Sequence, residues 1–373
     1  MQPSFDRRVA LARAHAASLD ADALLVTHLS NIAWLTGFFG SSAALLLTER
    51  SLQFLTDFRY RAHVERLISE RHFPSGATLV VTDRSLDEAS AAAIAEGGSE
   101  AIAVEAEHLP VRRFRRLESL LPKGVQLIQS EPFLERLRAV KDEEELGIYR
   151  EAAGRLADVA ARIPGMVMAG LSELAVAAEI DYALKRGGFQ RPAFETIVAS
   201  GPNSTLPHAR PGTRVLEEGD PVVLDFGGVY GGYCLDLTRT AFIGQPTKEF
   251  LALFEAVSAA QAAAIGAVRD GVRASEIDAA ARDLLAGRGL GEAFGHATGH
   301  GLGIDVHEFP RIGRRPSDGE DPVVTCGMIF TVEPGAYVPG LGGVRIEDDV
   351  LVGAGGADVL TAIPRELIIP GAR

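Results

Sequence analysis

At 373 residues the chain exceeds what one hydrophobic core usually organises, so two domains are expected, with ample apolar material for both. A formal charge of −13, with no basic run interleaved with aromatics, opposes nucleic-acid phosphates and argues against a nucleic-acid partner. Cys234 and Cys326 are the only cysteines and lack CxxC spacing, which argues against a disulfide framework or thiolate zinc site and suits a reducing, cytoplasmic compartment.

The first 21 residues form an alanine-rich helical pattern interrupted by Asp6, Arg7, Arg8, Arg13, His15 and Asp20, so no signal peptide is expected. Nowhere do roughly 18 apolar residues run uninterrupted, so no bilayer-spanning helix and no membrane partner are expected, and the chain reads as soluble. Residues 23–128 alternate short apolar runs with amphipathic stretches. Strands are predicted at 23–27, 43–47, 51–56, 78–82, 101–104 and 125–128, with helices at 60–68, 86–95 and 111–121. This is an α/β module with a mixed or largely parallel sheet. Its Gly37, Gly40 and Ser41-Ser42 mark a turn, because neither GxxxxGK[ST] nor GxGxxG spacing is present there.

The organisation changes near Glu131-Pro132, which divides the chain into domains 1–131 and 132–373. The run Lys141-Asp142-Glu143-Glu144-Glu145 opens a long helix with Leu146, Tyr149, Ala153, Leu156, Val159 and Ile163 at spacings of three or four; its acids complement the helix dipole, and no catalytic role is assigned to them. Ser172 caps a second helix to about Lys185, and helices also fit 248–268 and 275–285. Strands are predicted at 195–200, 222–229, 233–243, 328–337 and 343–352, two pairs being joined by the glycine turns Gly231-Gly232 and Gly340-Leu341-Gly342.

The chemistry-bearing acids sit on those two hairpins. Asp225 precedes the first turn and Asp236 comes 11 residues later; Glu333 and Glu347 flank the second, 14 residues apart, so the hairpins look like internal counterparts. Folding each hairpin brings its acids side by side, and packing the two together gathers four carboxylates. Singly, each could be a surface turn residue, but the apolar runs before Asp225, Glu333 and Glu347 carry these acids into buried surroundings. Four buried like charges imply either shared protons or bound cations, and divalent metal is the simpler solution. His300 adds a nitrogen within Gly299-His300-Gly301-Leu302-Gly303, where glycines permit close backbone approach and unusual φ values. One imidazole with four carboxylates suits two cations, Mn²⁺, Co²⁺ or Zn²⁺. His208 and His307 are candidates for stabilising an oxyanion at the scissile carbonyl. His296 is either support for His300 or a packed, satisfied imidazole.

Together, Leu224-Asp225-Phe226-Gly227, Asp236-Leu237-Thr238-Arg239-Thr240, the Gly299–Gly303 loop, Glu333-Pro334-Gly335 and Arg345-Ile346-Glu347-Asp348 resemble the M24 peptidases. This pita-bread group contains prolidase, aminopeptidase P, methionine aminopeptidase and creatinase, and the match covers nearly the whole chain. The resemblance implies an α/β (α+β) protein, a creatinase-like N-terminal α/β domain followed by a C-terminal catalytic pita-bread domain. It implies that Asp225 binds one metal, that Asp236 and Glu347 bridge two, and that His300 and Glu333 complete the other. A bridging water or hydroxide would be the nucleophile and Glu333 the proton shuttle to the leaving nitrogen. The counterparts of His208 and His307 surround the scissile carbonyl and the proline, and that of Arg345 lies near a substrate or product carboxylate. Arg345 could also form a structural salt bridge to Asp348 or Asp349.

Within the family, residues 31–38 and 56–60 look like the N-terminal domain of the prolidase and aminopeptidase P branch, which methionine aminopeptidases lack. Creatinase shares the layout without the complete ligand set. The resemblance therefore implies an Xaa-Pro exopeptidase acting on short proline-containing peptides. An Xaa-Pro dipeptidase is favoured by Arg345 as a carboxylate clamp and by the short single N-terminal module, with aminopeptidase P as the alternative and a non-catalytic pita-bread binding module as a remote one. Members of this branch commonly pair, so a homodimer is expected.

Overall fold

The structure, a computed structural model, describes residues 5–371 and contains two compact units. The first carries six strands, β1 (Ala23–Val26), β2 (Ala43–Thr48), β3 (Leu52–Asp57), β4 (Ala77–Thr82), β5 (Ala101–Glu105) and β6 (Gln126–Ser130), in the order β4-β3-β2-β1-β5-β6. β2 is antiparallel to both neighbours and the other pairs are parallel, so the sheet is mixed. Helices Leu86–Gly97 and Val111–Leu120 bury Ala89, Ala93, Ile94 and Leu117 in one core with Leu25, Leu46, Leu55 and Val104. Continuous apolar strands with amphipathic helices over them are what a sheet flanked by crossovers requires.

The unit boundary falls between Arg138 and Ala139, later than the 131/132 division drawn from the sequence. Helix Phe133–Ala139 explains the difference. Its Glu135 accepts a hydrogen bond from the Asn31 amide and its Arg138 donates to Asn31 Oδ1 at 2.8 Å, so this helix is tied into the first unit.

The second unit begins with helix Glu143–Ala160, whose N-terminus is closed by a reciprocal capping box between Asp142 and Glu145. Helix Glu173–Arg186 is capped by Ser172 and helix Lys248–Ala267 by Thr247; helix Ala274–Gly287 comes next. Among the described residues, Lys248–Ala267 is the one helix long and apolar enough by length and composition to cross a membrane, a candidate that counting uninterrupted apolar runs overlooks. Its Phe250, Leu253, Val257, Ala260 and Ala264 are buried in one cluster with Phe242, Phe330 and Val344, so its apolar side serves the core.

The strands of this unit are shorter than the sequence pattern predicts. They are β7 (Arg191–Pro192), β8 (Ile197–Ser200), β9 (Pro221–Phe226), β10 (Gly228–Tyr230), β11 (Tyr233–Cys234), β12 (Leu237–Phe242), β13 (Gly299–Gly301) and β14 (Glu308–Ile312), followed by β15 (Ile329–Val332), β16 (Gly335–Val338), β17 (Gly342–Arg345), β18 (Asp348–Gly353) and β19 (Gly356–Val359). Three of the four long arms expected from the sequence are broken where the acid sits, while the arm of Asp225 breaks at Gly227 and leaves that acid within β9. β9 and β12 pair at the base of the first hairpin, in the order β12-β9-β8, while β10 and β11 at its tip join a separate sheet ordered β11-β10-β7. In the second hairpin β15 and β18 belong to the sheet β14-β13-β15-β18-β19, while β16 and β17 pair alone. The breaks at 236, 333–334 and 346–347 free Asp236, Glu333 and Glu347 from strand alternation. Alternation is what would send neighbouring side chains to opposite faces.

Candidate metal centre and active site

The two hairpins meet along their breaks. Glu347 N donates to Thr238 O at 3.1 Å, and Arg345 N to Thr240 Oγ1 at 3.2 Å, stitching β12 to the segment around β17. Thr238 lies opposite Asp225 in the β9–β12 register. Its hydroxyl donates to Glu347 Oε2 at 2.6 Å, so one threonine side chain orients an acid from the other hairpin. Asp236 is held by its backbone, N donating to Asp349 Oδ2 at 3.1 Å.

His300 enters on β13, beside β15. A Cβ on Gly299 would lie 1.8 Å from Thr331 O, and one on Gly301 2.3 Å from Phe309 O, so both positions must be glycine for the three strands to close up. The glycines of this loop serve close approach only. The unusual φ values anticipated for Gly299, Gly301 and Gly303 do not occur, since none lies in the left-handed region. Thr298, just before the loop, accepts Glu333 N at 2.7 Å and donates to buried Asp278 at 2.7 Å, fixing the loop against β15.

The structure thus brings Asp225, Asp236, His300, Glu333 and Glu347 to the wall of one cavity of about 620 Å³, together with His208, His307 and Arg345. His300 Nε2 is 3.8 Å from both Asp236 Oδ2 and Glu333 Oε1, and ligand atoms of Asp236, His300 and Glu347 lie within 4.8 Å of one another. Burial and then His307 push the His300 imidazole down to about 4, so it is neutral near pH 7. Its Nδ1 faces Gly301 O at 3.1 Å; a carbonyl only accepts, so the proton sits on Nδ1 and the Nε2 lone pair points at the carboxylates.

The acids are under strong electrostatic pressure. Burial first, then Glu347 and Asp225, drive Asp236 well above the ordinary carboxyl range; burial, then Glu333 and Asp225, do the same to Glu347. Burial raises Glu333 to about 8, with Arg345 opposing and Asp225 adding to the rise. Asp225 Oδ1 and Asp236 Oδ1 are buried and accept no hydrogen bond from the protein. Clustered acids with two orphaned oxygens, beside a neutral imidazole offering a lone pair, fit divalent cations.

Arg345 departs from the expectation. Its Nη2 donates to Asp225 Oδ2 at 2.6 Å, Nη1 to Tyr337 Oη at 2.8 Å and Pro207 O at 3.2 Å, and Nε to Thr238 Oγ1 at 3.2 Å. It makes no bridge to Asp348, which is paired instead with Arg239 at 2.8 Å and Arg365 at 2.6 Å. With its fork occupied by protein groups, Arg345 braces Asp225 and does not stand open to a substrate carboxylate. His296 does not support His300. Its Nδ1 faces Ala297 O and its Nε2 faces Tyr337 Oη at 2.9 Å, completing an Arg345–Tyr337–His296 chain whose two ends line the cavity.

His208 and His307 stand at the exposed part of the cavity, and the His307 ring packs edge-on to His300 at 4.3 Å between centroids. Partial burial and then His208 lower the His307 pKa, with Asp225 opposing. Residues missed in the sequence include Tyr337, Arg311 and the pair Arg210–Glu195, 3.3 Å apart at the rim. Arg311 had a legible signal: it lies four residues after His307, and β14 places it directly across from His300.

Comparison with known proteins agrees with this geometry. Residues 147–354 match metallopeptidase family M24, and residues 8–140 match the creatinase/prolidase N-terminal domain. An Xaa-Pro dipeptidase of Pyrococcus horikoshii is 36% identical over 72% of this chain and 82% of its own. The structure of an Xaa-Pro dipeptidase from Bacillus anthracis superposes with a TM-score of 0.91 at 33% identity, covering 98% of this chain and 99% of that one. An X-Pro aminopeptidase from Thermotoga maritima gives 0.84 at 31% identity, covering 95% and 99%.

Proposed function

The chain belongs to metallopeptidase family M24, and on that premise we propose that it is an Xaa-Pro dipeptidase, hydrolysing the bond between an N-terminal residue and a following proline. The observation that carries the reading is the convergence of five ligand side chains with His208 and His307 in a single cavity. Asp225, Asp236, His300, Glu333 and Glu347 would hold two divalent cations, with Mn²⁺, Co²⁺ or Zn²⁺ suited to this carboxylate-rich set. Bound there, such ions supply the Lewis acidity that activates water and polarises the scissile carbonyl.

The chain's own groups do the rest. His300 keeps its proton on Nδ1 through Gly301 O and so presents only a lone pair to the site. Glu333, at the wall of the same cavity, takes the proton released on attack and passes it to the leaving imino nitrogen. His208 and His307, accessible at the cavity, donate to the carbonyl oxygen as charge develops on it. Arg345 orients Asp225, and Thr238 orients Glu347. A dipeptide's carboxylate needs a cation that is not already committed. Arg311, exposed at the cavity across from His300, is placed to meet it.

The reading extends to a homodimer in the cytoplasm without a nucleic-acid partner. Two unbridged cysteines, Cys234 buried and Cys326 exposed, and the negative charge support the compartment and the partner class. Light scattering after size exclusion tests the pairing. The activity is tested by turnover of Ala-Pro beside Ala-Pro-Ala in Mn²⁺, with and without EDTA. Dipeptide cleavage alone supports the proposal, tripeptide cleavage redirects it to an aminopeptidase P, and no cleavage of either overturns it.

A further inference from the structure

A second group of metal-ligating side chains lies in the N-terminal unit, built by strand topology. β1, β5 and β6 are consecutive parallel neighbours, so the segments leaving them emerge at one end of the sheet. Each delivers one candidate ligand. His28 comes after β1, His108 after β5, and Glu135 projects from helix Phe133–Ala139, the element after β6. The carboxyl ends of parallel strands are where open α/β sheets assemble ligand sites.

The three side chains converge. Glu135 Oε1 is 3.0 Å from His108 Nε2 and 3.8 Å from His28 Nδ1, and the ligand atoms all lie within 4.8 Å of one another. His108 Nε2 is buried yet makes no hydrogen bond of acceptable geometry, although the carboxylate is at contact distance. The two imidazoles are stacked, 3.6 Å between centroids and 6° between planes.

Supporting groups fix the ligands. Asn31, fully buried, donates from Nδ2 to both Glu135 Oε1 and Glu105 Oε1, while its Oδ1 accepts from Arg138. Glu105 accepts the backbone N–H of His28 at 2.8 Å and of Thr27 at 2.6 Å. A ligating carboxylate braced by an amide, and a ligating histidine braced at its backbone, are the outer contacts a metal site needs.

We propose that His28, His108 and Glu135 form a third cation site, binding one Zn²⁺-like divalent ion with two imidazole nitrogens and one carboxylate oxygen. Ligands about 2.0–2.2 Å from a tetrahedral ion stand about 3.3–3.5 Å apart. The two distances from Glu135 bracket that spacing, and tilting one imidazole out of the stack aims both nitrogens at the same point. The fourth position falls to water, because all three residues are half-buried. The ion clips together the ends of three parallel strands in the N-terminal unit.

The test is metal stoichiometry on the full-length chain, stripped with chelator, reloaded with Zn²⁺, desalted and counted by mass spectrometry of the elements. The wild type should retain three ions, and His108→Gln or Glu135→Gln two, with Xaa-Pro turnover kept. The double variant Asp236→Asn/Glu347→Gln, intact in the N-terminal unit, should retain an ion whose X-ray absorption fine structure reports two imidazoles. The peptidase centre has only one. Equal counts in wild type and His108→Gln would overturn the proposal and leave the cluster as a histidine–glutamate contact. Should His108→Gln or Glu135→Gln fail to fold, the double variant decides alone: a two-imidazole ion supports the site, and no such ion refutes it. Failure of the peptidase reading shows separately, as absent turnover.

Discussion

Arg345 Nη2 donates to Asp225 Oδ2 at 2.6 Å from a guanidinium that is itself buried, joining the last residue of β17 to the candidate metal ligand on β9. The pair distinguishes two roles for the arginine. A brace for Asp225 acts on the metal site; a clamp for substrate acts on binding. Arg345→Lys keeps the charge and loses the fork, so metal affinity should fall about 10–100-fold and kcat with it, while KM stays near its wild-type value. Arg345→Ala should also cost about 3–5 kcal/mol of stability, because it leaves a buried carboxylate uncompensated. Turnover titrated with metal, steady-state kinetics and a urea unfolding curve check both. A raised KM with unchanged metal affinity would return the clamp role to Arg345.

Thr238 carries the corresponding link between the hairpins through its 2.6 Å bond to Glu347. Thr238→Val removes the donor with little change of volume, leaving Glu347 to rotate. Metal dissociation measured against a competing chelator should accelerate, with affinity lower by about 10–100-fold. Unchanged affinity would mean that the ions alone orient Glu347.

The metal-free chain should show a particular pH dependence. Glu333 is raised to about 8 from an ordinary 4.5, with Asp236 moved the same way by burial and the Glu347 charge, and Glu347 by burial and the Glu333 charge. The folded state binds these protons more tightly than the unfolded state. The contribution of Glu333 to stability is therefore complete below about pH 4.5 and is lost as pH rises through 8, and those of Asp236 and Glu347 carry the same sign. His300 has the opposite sign: lowered to about 4, it contributes fully above 6.5 and less as pH falls. Between pH 6.5 and 8.5 only the carboxylate trend operates at this site. The melting temperature of the stripped chain should fall across that window, Glu333→Gln should flatten the fall, and metal should abolish it. A flat profile in the stripped wild type would contradict the assignment.

The site was legible in the sequence because its signals are local. Asp225, Glu333 and Glu347 each end an apolar run, and His300 sits among glycines that only close strand packing requires. All six strands of the first sheet were likewise readable from short apolar runs. The rest depended on pairing across the fold. Nothing in residues 222–243 reveals that the hairpin changes sheets, because the break is set by the second hairpin packing over it. Arg345 next to Ile346-Glu347-Asp348 invites a local salt bridge, yet its partner is 120 residues away. The division near Glu131-Pro132 rested on a proline and a charge run, whereas Asn31 holds the following helix to the first unit.

His307 and His208 should separate binding from chemistry. Neither is among the five proposed metal ligands, so His307→Ala and His208→Ala should leave metal content unchanged. Losing a donor to the developing oxyanion should lower kcat by about 100–1000-fold. A fall in metal content would assign His307 to the support of His300, whose ring it touches.

Arg311 lies across β13–β14 from His300 at the cavity wall, and its value should appear in the choice of substrate. A guanidinium that meets the carboxylate of an Xaa-Pro dipeptide is lost on Arg311→Ala, and a charge-assisted hydrogen bond contributes roughly 1.5–3 kcal/mol. The KM for Ala-Pro should then rise by about one to two orders of magnitude, with metal content unchanged. Ala-Pro amide, which offers no carboxylate, should be cleaved poorly by the wild type and be almost indifferent to the substitution. An equal loss on both substrates would mean that Arg311 shapes the cavity and does not read the carboxylate, and the dipeptidase preference would then have to come from elsewhere on the rim.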